Sequence, residues 1–130
     1  MTLSPEQKAF YDTNGYLLIE DAVTADQLAA LRAVTQVLTE TSRAVTASDD
    51  IYDLDTGHSA DNPRLTRVRL PHERHPLFWE VLRCSRMTQV LTDLLGPDTN
   101  LITSNLITSK LNTKAPEGGR EVEWHQDWAF

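Results

Sequence analysis

The chain has 130 residues, 40% of them hydrophobic and 24% charged, a mixture that suits one globular domain and argues against wholesale disorder. Twelve Lys and Arg against nineteen Asp and Glu give a net charge of −7, which disfavours nucleic acid as a partner. No apolar run exceeds four residues, which excludes a membrane span or secretory core, and the lone Cys84 excludes an internal disulfide and makes a reducing, cytoplasmic setting the default.

Ser4, Pro5 and Gln7 predict a helix start: Ser4 caps, Pro5 suits the first helical position, and Gln7 completes a capping box. Asn14-Gly15 supplies the left-handed stop. Residues 16–20 are short and apolar and read as a strand. Thr24 and Gln27 repeat the capping box. The second helix then carries Leu28, Leu31, Thr35 and Leu38 at helical spacing, widened by Val34 and Val37, and fades near Arg43.

Residues 46–65 read as an acidic loop, with Asp49, Asp50, Asp53, Asp55 and Asp61 set among Gly57, Ser59, Asn62 and Pro63. A mobile loop is the plain reading, and a lid or entrance loop the functional one. An EF-hand is excluded, because the mid-loop glycine and closing glutamate are missing. The charge then inverts. Arg64, Arg67, Arg69, Arg74, Arg83 and Arg86 make six of the twelve cations, read as solvated faces or partners of the acidic loop rather than an anion patch. Leu65, Val68 and Leu70 fit a strand loosely. Pro76 opens a helix with Leu77, Phe78, Val81 and Leu82. Ser85 opens another that Gly96-Pro97 ends, and Cys84 reads as packing in an apolar helical context.

From Thr99 to Thr113 apolar residues alternate with Thr, Ser and Asn, which predicts strand. Residues 116–119 form a turn, and residues 121–127 a further strand. The fold class expected is α+β in a single domain over residues 1–130, with the chain stopping at Phe130 in mid-sheet.

On a strand, His125 and Asp127 project to the same face, side by side. That is the placement of two of the three ligands in a 2-His-1-carboxylate facial triad, which leaves one side of Fe(II) open. A His-x-Asp pair alone is a weak signal, and a hydrogen-bonded strand-edge pair is its plain reading. His72 and His75, in a turn before Pro76, read as surface histidines, with nothing placing them across a sheet from His125.

Four stretches resemble the phytanoyl-CoA dioxygenase family of Fe(II)- and 2-oxoglutarate-dependent oxygenases. They are Asp12-Thr-Asn-Gly-Tyr-Leu-Leu-Ile-Glu-Asp21 with its following helix, and His75-Pro-Leu-Phe-Trp79 with Leu94-Leu-Gly-Pro-Asp98. Next come Lys110-Leu-Asn-Thr-Lys-Ala-Pro116 with Gly118-Gly119, and last Trp124-His-Gln-Asp-Trp128. The resemblance implies N-terminal helices packed on the first strands of a double-stranded β-helix, or jelly roll. It implies Fe(II) held by His125 and Asp127, and 2-oxoglutarate as cosubstrate. It also implies a distal histidine ligand and a cosubstrate arginine downstream of Phe130, so that this chain corresponds to the N-terminal half of such an enzyme.

Lys110, Asn112 and Lys114 share strand parity. By the resemblance Lys114 and Asn112 lie near the cosubstrate pocket, Lys114 meeting an anionic group and Asn112 donating an amide hydrogen bond. The alternative is a solvent-facing strand edge, where Lys discourages pairing. Trp124 and Trp128 are expected to pack. Related halogenases replace the metal-binding carboxylate with a small residue, so Asp127 points to hydroxylation. The expected partner is a small-molecule substrate of unassigned identity. A different class of reading is a non-catalytic remnant or interaction module that self-associates through the open sheet edge.

Overall fold

In the computed structural model of the chain, residues 2–99, 109–114, 121 and 123–125 are described. Helix α1 (Pro5–Asn14) begins as expected. Gln7 N–H donates to Ser4 Oγ at 3.2 Å, and Ser4 N–H donates back to Gln7 Oε1 at 2.9 Å. Gly15 ends it at φ +77°, donating its N–H to Tyr11 O at 2.8 Å. Thr24 and Gln27 make the same reciprocal pair at the head of α2 (Ala25–Thr41), and a 3-10 turn (Ser42–Ala44) follows.

Residues 16–20 form no strand, contrary to the sequence reading. Tyr16 and Leu18 are exposed, and no described strand pairs with them. Apolar content marks a strand only where a neighbouring strand takes up its backbone groups. Tyr16 instead meets Phe10 edge-to-face, with ring centroids 5.3 Å apart.

The acidic segment is also not a featureless loop. It contains β1 (Tyr52–Leu54), which pairs antiparallel with β2 (Leu65–Arg69), and β2 pairs antiparallel with β3 (Lys110–Asn112). The register sets Tyr52 against Val68 and Asp53 against Arg67, with an irregularity before Leu54; across β2 it sets Arg67, Val68 and Arg69 against Asn112, Leu111 and Lys110. The connection from β1 to β2 is built. Asp55 N–H donates to Arg64 O at 3.0 Å, and Arg64 stands 3.6 Å from the Asp55 carboxylate. His58 Nδ1 accepts from Arg64 N–H at 2.9 Å, while its Nε2–H donates to Ser42 O at 3.1 Å, so one imidazole ties this hairpin to the end of α2.

The core lies where the sheet meets α2. Tyr52, Leu65 and the fully buried Val68 form its centre, with Leu38, Val45, Ile51, Leu54 and Leu111 packed around them. Past the left-handed corner at Leu70 (φ 48°), the short helix α3 (Pro71–Arg74) leads into α4 (Pro76–Leu82). Helix α5 (Ser85–Leu95) follows and ends at Gly96, as expected. Cys84 is the cap residue ahead of α5 rather than part of a helix, with its Sγ 4.0 Å from Ala22 O. The Asp93 carboxylate accepts Leu3 N–H at 2.7 Å, which ties α5 to the chain start. An apolar groove of about 680 Å³ runs between α2, α4 and β3, lined by Leu28, Leu31, Phe78, Val81 and Leu111 among others.

His72 departs from the surface reading. It is 7% exposed, packs edge-to-face on Trp79 at 5.0 Å, and its Nδ1 has no hydrogen-bond partner among the described residues. The turn that carries it becomes α3, whose inner side the helices cover. His75 is exposed and caps α4, its Nδ1 accepting Leu77 N–H at 3.2 Å. Among the described residues, no helix is long and apolar enough to cross a membrane.

Candidate functional site

The three-stranded sheet has two unlike faces. Val68, Tyr52 and Leu111 point toward the helices and make the core. Strand alternation sends Asp53, Arg67, Arg69, Lys110 and Asn112 to the opposite face. Lys110 and Asn112 are exposed there, on a strand at the edge of the described sheet. Thr113 N–H donates to Thr66 O at 3.1 Å, which carries the pairing one residue past β3, and the exposed Lys114 follows at the parity of Asn112.

Asp53 organises this face. Its Oδ1 accepts from Arg69 Nη2 at 2.8 Å and from Arg69 Nε at 3.1 Å, and its Oδ2 lies 3.4 Å from Arg67 Nη1. The Asp53 side chain is 13% exposed against 35% and 44% for the two arginines, so one largely buried carboxylate serves two more open guanidiniums. The hydrogen bond to Asp53 raises the pKa of Arg69 above its already high ordinary value. Arg67 and Arg69 are partners of the acidic segment, as the sequence reading allowed. Their placement beside Lys110 and Asn112 was not foreseen. The signal was available in the shared parity of Arg67 and Arg69, while Leu65 is turned into the core across the register irregularity.

His125 is exposed, and its Nδ1 lies 2.6 Å from Glu123 O. The carbonyl can only accept, so Nδ1 is the donor in this contact. Asp127 lies outside the described residues, as do Trp128, the turn at residues 116–119 and most of the strand expected from residue 99. Residues 121 and 123–125 are not in a strand, and no described strand pairs with them. Trp124 is fully exposed rather than packed. Among the described residues, no group of three or more His, Cys, Asp and Glu assembles as a metal cage.

Helices backing a small antiparallel sheet, with a polar outer face on β3, define an α+β domain of the kind the sequence resembles. The family model described as phytanoyl-CoA dioxygenase (PhyH) matches residues 11–130, and the chain belongs to that family. Over 125 residues the chain is 28% identical to a probable alpha-ketoglutarate-dependent hypophosphite dioxygenase of Stutzerimonas stutzeri, covering 96% of this chain and 42% of that protein. It is 28% identical over 129 residues to an ectoine dioxygenase of Sphingopyxis alaskensis, covering 97% of this chain and 38% of the relative. A probable phytanoyl-CoA dioxygenase of Caenorhabditis elegans is 27% identical over 128 residues, covering 95% and 40%. The chain thus spans about two-fifths of the length of these relatives. No solved structure matches it.

Proposed function

We propose that this chain is the metal-binding N-terminal part of an Fe(II)- and 2-oxoglutarate-dependent dioxygenase that hydroxylates a small molecule. The observation that carries the reading is the family match over residues 11–130, a span that includes the His125-x-Asp127 pair. In this reading the sheet opens a double-stranded β-helix with the helices outside, and the face bearing Asn112 and Lys110 turns inward. A distal histidine and an arginine downstream of residue 130 complete the ligand and cosubstrate sets in the full-length protein.

The residues present fit the metal in one respect that the geometry supports. Metal-ligating histidines commonly donate their other ring N–H to a carbonyl, and Nδ1–H of His125 donates to Glu123 O. His125 and Asp127 are the proposed ligands; a neutral imidazole and a carboxylate suit Fe(II) in both softness and charge. Bound Fe(II) with 2-oxoglutarate supplies oxidation of an unactivated carbon by dioxygen. Lys114 pairs its ammonium with a cosubstrate carboxylate, and Asn112 donates its amide N–H to an acceptor oxygen. Substrate identity does not carry over from the relatives, whose names span hypophosphite, ectoine and phytanoyl-CoA.

The test replaces His125 and Asp127 singly with Ala in the full-length protein. Mn(II) binding followed by electron paramagnetic resonance is expected to weaken at least tenfold, and 2-oxoglutarate-dependent succinate formation to disappear. Wild-type metal affinity and succinate production in either variant would refute the assignment.

A further inference from the structure

We propose that the open face of the sheet holds an oxyanion group of the substrate, with Arg67 and Arg69 as its anchoring residues. The inference rests on the oxygenase reading only for the word substrate; the anion site itself stands on the sheet. In a chain of net charge −7, Arg67, Arg69 and Lys110 lie on one face with Asp53 as the carboxylate among them, and the exposed Lys114 follows at the same parity. Asp49 and Asp50, on the chain leading into β1, also act on Arg69.

Asp53 does not saturate these cations. It gives Arg69 a two-nitrogen contact, but touches Arg67 only through Nη1 at 3.4 Å. The Arg67 Nε is buried with no hydrogen-bond partner among the described residues. A guanidinium presents five donors in a planar fork that matches an oxyanion; the buried Nε is out of a ligand's reach, and it is the outer Nη donors of the 35% exposed Arg67 side chain that face an anion. Arg67 stands directly across from Asn112, and Arg69 from Lys110, so an anion seated over β2 meets charge and a neutral amide from β3 as well. The pairing register fixes these spacings.

The experiment titrates inorganic phosphate, and separately 2-oxoglutarate, into the full-length protein by calorimetry, with urea melts to establish folding. Arg67→Met is expected to weaken phosphate binding at least tenfold and to leave 2-oxoglutarate unchanged. Asp53→Asn, which removes the competing carboxylate, is expected to tighten phosphate binding severalfold. Arg83→Gln, a cation stacked over Trp79 at 4.6 Å from the ring, leaves both affinities as they were. Phosphate affinity unchanged in a folded Arg67→Met, or lowered in a folded Asp53→Asn, overturns the proposal. So does loss of 2-oxoglutarate binding alone in Arg67→Met, which would make these arginines cosubstrate residues. Mn(II) affinity that is indifferent to His125→Ala would sink the oxygenase reading and leave the anion site intact, so the two failures are told apart.

Discussion

Val68 is the residue through which the sheet joins the helices, and Val68→Ala measures that joint. It is fully buried at the centre of β2, registered against Tyr52 on one side and Leu111 on the other, in the cluster that also receives Leu38 from α2. The substitution removes two methyl groups, about 1.6 kcal/mol of transfer free energy at about 0.8 kcal/mol per buried carbon. A cavity flanked by two pairing strands collapses only partly, so the expected total is about 2–3 kcal/mol. In urea, with a slope of about 1–3 kcal/mol per molar, the midpoint falls by about 1 M while the slope stays constant. Val37→Ala is the matched control: the same atoms are lost from a helical position that is 64% exposed, where Ala is the better helix former. That variant stays within about 0.5 kcal/mol of the parent or gains slightly. Equal midpoint shifts for the two variants, or a loss below about 1 kcal/mol at Val68, would refute the placement of the core.

The Asp49 carboxyl is held below its ordinary range, first by hydrogen bonds from Tyr52 and Ile51 N–H at 2.7 and 2.8 Å. A pKa lowered in the folded state stabilises fully above the free value, about 3.9, and that stability is lost as pH falls through the folded value. Asp49→Asn should therefore lower the urea midpoint at pH 7 and converge with the parent toward pH 2, whereas a gap that widens in acid would contradict this. Gly15→Ala is expected to cost about 1–2 kcal/mol through the left-handed φ alone, because nothing lies within 4 Å of the added methyl; an unchanged thermal midpoint would count against the observed cap. His72→Phe keeps the edge-to-face contact with Trp79, removes an unpartnered ring nitrogen, and extends toward the adjoining groove, so stability holds within about 1 kcal/mol or rises. A loss above about 2 kcal/mol would reveal a hydrogen bond at that imidazole.

Where local chemistry alone decides an element, the sequence was sufficient. Both capping boxes, the Gly15 and Gly96 stops and the starts at Pro76 and Ser85 stand where expected, because each depends on groups within one turn. The strands were less legible, since a strand needs a partner that its own residues do not specify. Residues 16–20 have the composition and no partner strand among the described residues, while Tyr52–Leu54 has a partner and was obscured by the aspartates around it. His72 was misread for a related reason: burial of its ring is set by Trp79 and by α4 folding back, not by its polar neighbours. Of the candidate site, the parity of Lys110 and Asn112 was readable, but their proximity to Arg67 and Arg69 is a product of register.

The inversion of charge along the chain has its physical explanation in that same register. Aspartates crowded into residues 49–61 and arginines into residues 64–69 look like two unrelated surface stretches when read in order. Folded as the β1–β2 hairpin they face one another, Asp53 with Arg67 and Arg69, and Asp55 with Arg64. The two Asp53 pairs run to guanidiniums that are 35% and 44% exposed and so stabilise weakly, which leaves hydrophobic burial at Tyr52 and Val68 as the main force closing the hairpin. What the charges add is specificity. A slip of one residue would turn Arg67 into the core and carry Val68 to the polar face, which no exposed ion pair could offset. The apolar face thus fixes the register, and the register fixes where the cations stand. Removing Asp53 should therefore alter what the open face binds far more than it alters whether the sheet forms.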